Sequence, residues 1–301
     1  MVDPLAISLT HVGPSALVGE AGGLNAQLSA GENVYDSARR ELPLRHEFLE
    51  ALRYRDLVLQ LVARDVRTRY KRSVLGVGWT MLSPLLMMVV LSVVFSHLFR
   101  GDTPHYPVYV LSALLLWNFF AQSTTSAMTN LVWGGPLLTR IYVPKAVFAI
   151  SAIGTGLVNL AFALVPLAAI MIATGVPLSP SLLWLPVPVV LTAGFALGVG
   201  LLISTLAVSF RDIIEVYQLI LTALYFLTPV MYPVSVIPVQ DRWWMQLNPG
   251  YYFIEAFREP IWAGRGPAPE TIAAATVISL VTLAVGWIVF SGRADNMAAR
   301  I

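Results

Sequence analysis

From residue 74 onward the chain alternates between long apolar runs and short polar breaks. The runs predict six helices, over about 74–99, 108–133, 146–174, 182–209, 213–231 and 271–290. Each is long enough to cross about 30 Å of hydrocarbon at 1.5 Å per residue. The stretch from Ala146 to Phe210 contains no Asp, Glu, Lys, Arg or His over 65 residues. It holds two spans and a turn, with the turn at Gly175–Pro180. Pro84, Pro166, Pro186, Pro188 and Pro229 fall inside the predicted helices, where neighbouring helices re-satisfy the freed backbone groups.

Three segments depart from this pattern. Residues 1–44 are rich in Gly, Ala and Ser without sustained periodicity, and read as a disordered cytoplasmic tail. The start lacks a basic region, which argues against a cleaved signal peptide. Residues 46–68 read as an amphipathic helix, with Phe48, Leu52, Leu59, Val62 and Val66 near one face and Arg53, Asp56, Gln60, Arg64 and Arg67 largely on the other. Asp65 and Arg69 are spaced for an i,i+4 ion pair. Such a helix lies in the inner interface before the chain turns into the bilayer. The third segment, 232–269, is too long for a turn and is cut by Pro233, Pro238, Pro249 and Pro260 into pieces too short to span. It predicts one or two short re-entrant or surface helices. Trp243 and Trp244 there fit an interfacial aromatic belt.

Composition makes the membrane reading firm. Of 301 residues, 57% are hydrophobic and 12% charged, about half the charged share of a soluble domain. The mean hydropathy is +0.72. With the N-terminus inside, fifteen of the nineteen Lys and Arg residues fall in cytoplasmic segments: ten from Arg39 to Arg72, then Arg140, Lys145, Arg211, Arg293 and Arg300. Arg100, Arg242, Arg258 and Arg265 fall outside. That asymmetry sets the orientation, with both termini cytoplasmic. The cluster Arg67, Arg69, Tyr70, Lys71 and Arg72 pins the cytoplasmic start of the first span. The expected layout is therefore a tail (1–44), an interfacial helix with its basic cluster (45–72), a six-span domain (73–292) and a short cytoplasmic tail (293–301).

The chemistry is mostly excluded. With no cysteine there is no disulfide framework or thiolate metal site. Ion-coupled transport needs ionisable groups at membrane depth, and the spans hold almost none; Glu215 sits one turn from the inner end of the fifth. An intramembrane enzyme needs acids, bases or metal ligands. The histidines at 11, 46, 97 and 105 are scattered, and Glu255, Arg258 and Glu259 read as a helical surface pair. The only lysines are Lys71, followed by Arg72, and Lys145, followed by Ala146, so no P-loop exists. The chain carries no motor, no metal site and no cofactor of its own. Gly194 and Gly198 form a GxxxG pair, read as close packing within one subunit.

Four ordered stretches carry a resemblance. "RYKRSVLGVGWTMLSPLL" (69–86), "LLTRIYVPKAVFAISAI" (137–153), "VSFRDIIEVYQLIL" (208–221) and "TPVMYPVSVIPVQDRWWMQLNPGYYFIEAFREPIWAG" (228–264) resemble the landmarks of ABC-2 type permeases that export polysaccharides, O-antigen and teichoic acid. The likeness covers about residues 45 to 290. It implies an all-α, six-span subunit in the inner membrane, working as a homodimer with two copies of an ATP-binding subunit that supply ATP and Mg. The cargo would be a polyprenyl-diphosphate-linked glycan, handled among membrane lipids and without nucleic acid. Drug or lipid exporters of the wider ABC-2 class are the alternative.

Candidate residues follow. Leu137, Leu138, Arg140, Ile141 and Tyr142 lie on the cytoplasmic side, where the resemblance places the main coupling helix; Arg211 and Asp212, in the next inner turn, are positioned to touch the ATPase. Trp117, Phe119, Phe120, Tyr225 and Phe226 form two aromatic groups nearer mid-membrane than belt depth, offering stacking surfaces for sugar rings. Tyr232, Pro233, Asn248, Pro249 and Arg258, in the outer segment, are candidates for an outer gate.

Overall fold

The computed structural model describes residues 53–71, 76, 78–95, 103–133 and 144–298. Among these there is no β-strand. The helices are α1 (Arg55–Tyr70), α2 (Gly78–Phe95), α3 (Tyr106–Trp133), α4 (Ala146–Thr174), α5 (Pro186–Ser209), α6 (Ile213–Leu227), α7 (Trp243–Gln246), α8 (Pro249–Arg258) and α9 (Pro269–Ala298). Among the described residues, four segments are long and apolar enough to cross a membrane: Gly78–Phe95, Ala146–Thr174, Pro180–Ser209 and Pro269–Arg293. Helix α3 is as long, at 28 residues, and less apolar because Asn118, Gln122, Thr125, Ser126, Thr129 and Asn130 interrupt it.

Helix boundaries follow local chemistry. Gly175 ends α4 in the left-handed conformation (φ 77°), where its amide and that of Val176 cap the Ile172 and Met171 carbonyls. Pro186 and Pro188 occupy the first turn of α5 rather than its interior, the one place a missing N–H costs nothing. The fifth predicted span stops early, at Leu227. Pro229 pushes Thr228 into the extended region (ψ 137°), so the helix cannot continue to 231. At 15 residues, α6 is about 22 Å long, and the chain runs on through 228–233 without helix.

Helix α3 is the core of the bundle, with Val108, Val110, Leu111, Ala113, Ala127 and Met128 fully buried. It packs against α4, α5 and α2. Small residues allow the closest approaches. A Cβ on Gly156 of α4 would strike Ser123 Oγ and come within 3.1 Å of the Phe119 ring. Helices α5 and α9 cross at Gly198 and Gly286. A Cβ on Gly198 would lie 2.5 Å from the Thr282 carbonyl oxygen, and one on Gly286 would strike the Gly198 carbonyl. The GxxxG pair thus serves packing inside one chain.

Helix α1 packs along α4, where Val62 fills the space over Gly154. Its packed face runs Leu57, Val58, Leu61, Val62 and Val66, whereas Leu59 is 65% exposed and belongs to the other side. Asp65 pairs with Arg64, 3.0 Å apart. Phe48 and Leu52 lie outside the described residues.

Candidate functional site

A groove of about 920 Å³ opens along α2, α3 and α6. Helix periodicity lines it: on α3 Asn118, Gln122 and Thr125 recur at i, i+4 and i+7, with Trp117, Ala121 and Ser126 beside them. Helix α6 contributes Gln218, Thr222 and Tyr225 at the same spacing, with Phe226 at the rim. Helix α2 adds Trp79, Ser83, Met87 and Val90. Among the described residues, no charged side chain lines the groove. Its walls are amides, hydroxyls, aromatic rings and aliphatic carbon.

Two side-chain hydrogen bonds join α6 to α3. Tyr217, buried, donates to Thr124 Oγ1 at 2.7 Å, and Gln218 Nε2 donates to Thr125 Oγ1 at 3.2 Å. A second cavity of about 400 Å³ between α2, α3 and α4 shares Trp79, Ser83, Asn118 and Gln122 with the groove and adds Thr80 and Asn159. The shared residues form the partition between the two.

The structure separates the five aromatic candidates. Trp117, Tyr225 and Phe226 line the groove, with ring centroids 5.7 Å apart for Trp117–Tyr225 and 5.4 Å for Tyr225–Phe226. Phe120 points away from it, stacking on Phe195 at 5.2 Å, which in turn stacks on Phe253 of α8 at 4.7 Å. Trp117, 6.0 Å from Phe120, links the two sets into one ladder running from groove to α8. Phe119 packs into the second cavity against α4. Sequence reasoning missed the amide and hydroxyl stripe, and Phe195 and Phe253. The signal for the stripe was present, as uncharged polar residues at helical spacing in apolar runs.

Segment 228–268 folds over the Tyr106 end of α3. Asn248 caps α8, its Oδ1 accepting from the Gly250 amide at 2.9 Å while its Nδ2 donates to Thr228 Oγ1 at 2.9 Å; Pro249 takes the first helical position. Tyr232 donates to the carbonyls of Phe226 and Leu227 at 3.1 and 3.2 Å, and Pro233 is buried. Arg258 is not on the surface, as its helical spacing with Glu255 and Glu259 had suggested. It is 1% exposed, with its guanidinium 3.8 Å from the Tyr109 ring centroid and 3.5 Å from Glu255. Burial raises the Glu255 carboxyl above its ordinary range, and Arg258 opposes that rise. Glu259 instead binds Arg265 at 2.8 Å and the Ala268 amide at 2.8 Å.

At the other end, Arg211 and Asp212 are exposed, and the Arg211 guanidinium lies 6.0 Å from the ring centroid of Trp133, the last residue of α3. Leu137, Leu138, Arg140, Ile141 and Tyr142 lie outside the described residues, as does Arg72. Arg67 and Lys71 are exposed; α1 carries Arg69 and Tyr70, whose side chains are also outside the description.

Residues 56–262 match the family model of the ABC-2 type transporters. The O-antigen export system permease protein RfbA of Myxococcus xanthus is 29% identical over 254 residues, 84% of this chain and 98% of that protein. A Klebsiella pneumoniae protein of the same name is 26% identical over 205 residues, 68% of this chain and 79% of its own length. The polysialic acid transport protein KpsM of Escherichia coli is 23% identical over 240 residues, 79% of this chain and 93% of its own.

Proposed function

The chain belongs to the ABC-2 type transporter family, and from that we propose that it is the permease subunit of an ATP-driven exporter of lipid-linked polysaccharide across the cytoplasmic membrane. The cargo is of the O-antigen, capsular, cell-wall glycan or teichoic acid kind, carried on a polyprenyl diphosphate. Two copies face each other, and two ATP-binding subunits, which bind ATP and Mg, dock beneath them.

The observation that carries this reading is the groove. A sliding polymer needs many weak, interchangeable contacts and no deep well. Asn118, Gln122, Gln218 and Thr222 exchange hydrogen bonds with sugar hydroxyls, while Trp117, Tyr225 and Phe226 offer faces on which apolar C–H groups stack. A fixed charge at membrane depth would be costly and would hold an anionic polymer in place. Two such grooves facing one another enclose the export channel.

The topology follows. Six crossings are made by α2, α3, α4, the segment 180–209, α6 with its extension to 233, and α9, with both termini cytoplasmic. Helix α1 lies at the inner interface, where exposed Arg64, Arg67 and Lys71 meet anionic headgroups. In sequence, residues 134–143 join α3 to α4, and Leu137, Leu138, Arg140, Ile141 and Tyr142 are the residues assigned to binding the ATPase, with Arg211 and Asp212 as further contacts. Tyr232, Pro233, Asn248, Pro249 and Arg258 sit at the outer mouth.

The test is genetic. Deleting the chain from its host should leave undecorated cell surfaces and accumulate lipid-linked polymer inside, with drug sensitivities unchanged. Normal surface glycan together with altered drug efflux would instead identify a drug exporter of the same class.

A further inference from the structure

Beyond the end of α6 the backbone runs through turns and bends without helix, and four consecutive carbonyls, from Pro229 to Tyr232, have no helix to satisfy them. Each is met by a side chain from elsewhere. Arg258 Nη2 donates to Pro229 O at 2.7 Å and to Val230 O at 3.2 Å; Tyr106 donates to Met231 O at 2.6 Å; Tyr109 donates to Tyr232 O at 3.2 Å. Arg258 Nη1 also donates to the Tyr109 hydroxyl at 2.7 Å, leaving that hydroxyl's proton for Tyr232. The strap is buried: Thr228 and Val230 are 0% exposed and Met231 9%. Its far end returns to α6, because Tyr232 donates to the carbonyls of Phe226 and Leu227.

A relay therefore runs from one buried cation through Tyr109 and Tyr232 to the backbone of Phe226, whose ring borders the groove. We propose that Arg258 is a positioning residue for export: it hangs the 228–232 strap from α3 and α8, and so sets where Tyr225 and Phe226 stand at the outer end of the path. This rests on the export reading for its functional half, not for its structural half. The chemistry asks for arginine. A planar fork reaches two carbonyls and a hydroxyl at once while stacking on the Tyr109 ring, whereas a lysine ammonium offers three donors at a point and no plane to stack. The nearby Glu255, 3.5 Å away, balances the charge.

The chain has no cysteine, so Val230→Cys introduces a single thiol at a site that is closed while the strap is held. In the complex with its ATP-binding partner, that thiol should react slowly with a membrane-impermeant maleimide. Adding Arg258→Met should raise the labelling rate at least about tenfold, the scale that losing a buried charged hydrogen bond permits. Arg258→Lys and Tyr109→Phe should give smaller rises. Polymer export should fall in the same order, with Arg258→Lys retaining part of it. If Arg258→Met fails to assemble, Arg258→Lys and Tyr109→Phe decide the matter. Labelling that stays at the parent rate in the variants, or that rises without any loss of export, overturns the proposal. Because labelling needs no cargo, a wild-type complex that exports no polysaccharide would refute the cargo assignment and leave the strap result standing.

Discussion

Tyr217 of α6 donates a 2.7 Å hydrogen bond to Thr124 of α3, and the next residue on each helix, Gln218 and Thr125, meets its partner at the groove surface. One buried pair and one exposed pair thus fix the seam that the groove follows. Removing the phenol in Tyr217→Phe leaves an acceptor position on Thr124 unfilled. The variant should lose about 1 kcal/mol of stability, read as a lowered midpoint when the purified complex is titrated with denaturant. A midpoint equal to the parent's would mean that the Tyr217–Thr124 bond does not hold the seam.

The α5–α9 crossing predicts an order of severity. At Gly198 a new Cβ meets backbone, 2.5 Å from the Thr282 carbonyl, whereas at Gly194 it meets only Ser279 Oγ at 2.7 Å. Gly198→Ala should therefore cost about 1–3 kcal/mol, as overpacking does when nothing can move aside. Gly194→Ala should cost less, limited to the bond Ser279 makes to the Leu191 carbonyl. Thermal unfolding of the two variants gives the comparison, and equal losses would contradict it.

If the proposed reading holds, coupling to an ATP-binding subunit should be separable from folding. With no P-loop in the sequence, the isolated chain should hydrolyse no ATP, and hydrolysis should appear only when an ATP-binding subunit is added. Leu138→Asp or Tyr142→Asp should reduce recovery of that subunit, since an unpaired carboxylate is costly to bury in the joint, while insertion stays normal. Unchanged recovery with unchanged coupled hydrolysis would make residues 134–143 a plain connector.

How far the sequence can be read depends on whether a feature is local. Helix α4 was legible to its last residue, because Lys145 and Gly175 bracket a long run without charge and Gly175 supplies the left-handed cap. The end of α6 was misplaced by four residues because hydrophobicity continues past it, and only the steric effect of Pro229 on Thr228 stops the helix. Arg258 misled in a different way. Its spacing from Glu255 and Glu259 suits a surface pair, but what buries it is Tyr109, some 150 residues away in the chain. The groove was half visible: the aromatic residues stand out, and Trp117, Tyr225 and Phe226 line it. Asn118, Gln122, Gln218 and Thr222 were passed over because uncharged polar residues in an apolar span raise no alarm until α6 is laid against α3.

The groove itself is the claim most open to direct test. A photo-reactive amino acid at Thr222, on the groove wall, should capture polysaccharide in membranes stalled during export. The same group at Val281, 56% exposed on α9 and away from the groove, should capture lipid. Capture at Thr222 that depends on ATP and on the presence of polymer is the predicted result. Polymer captured at Val281 and not at Thr222 would place the path elsewhere.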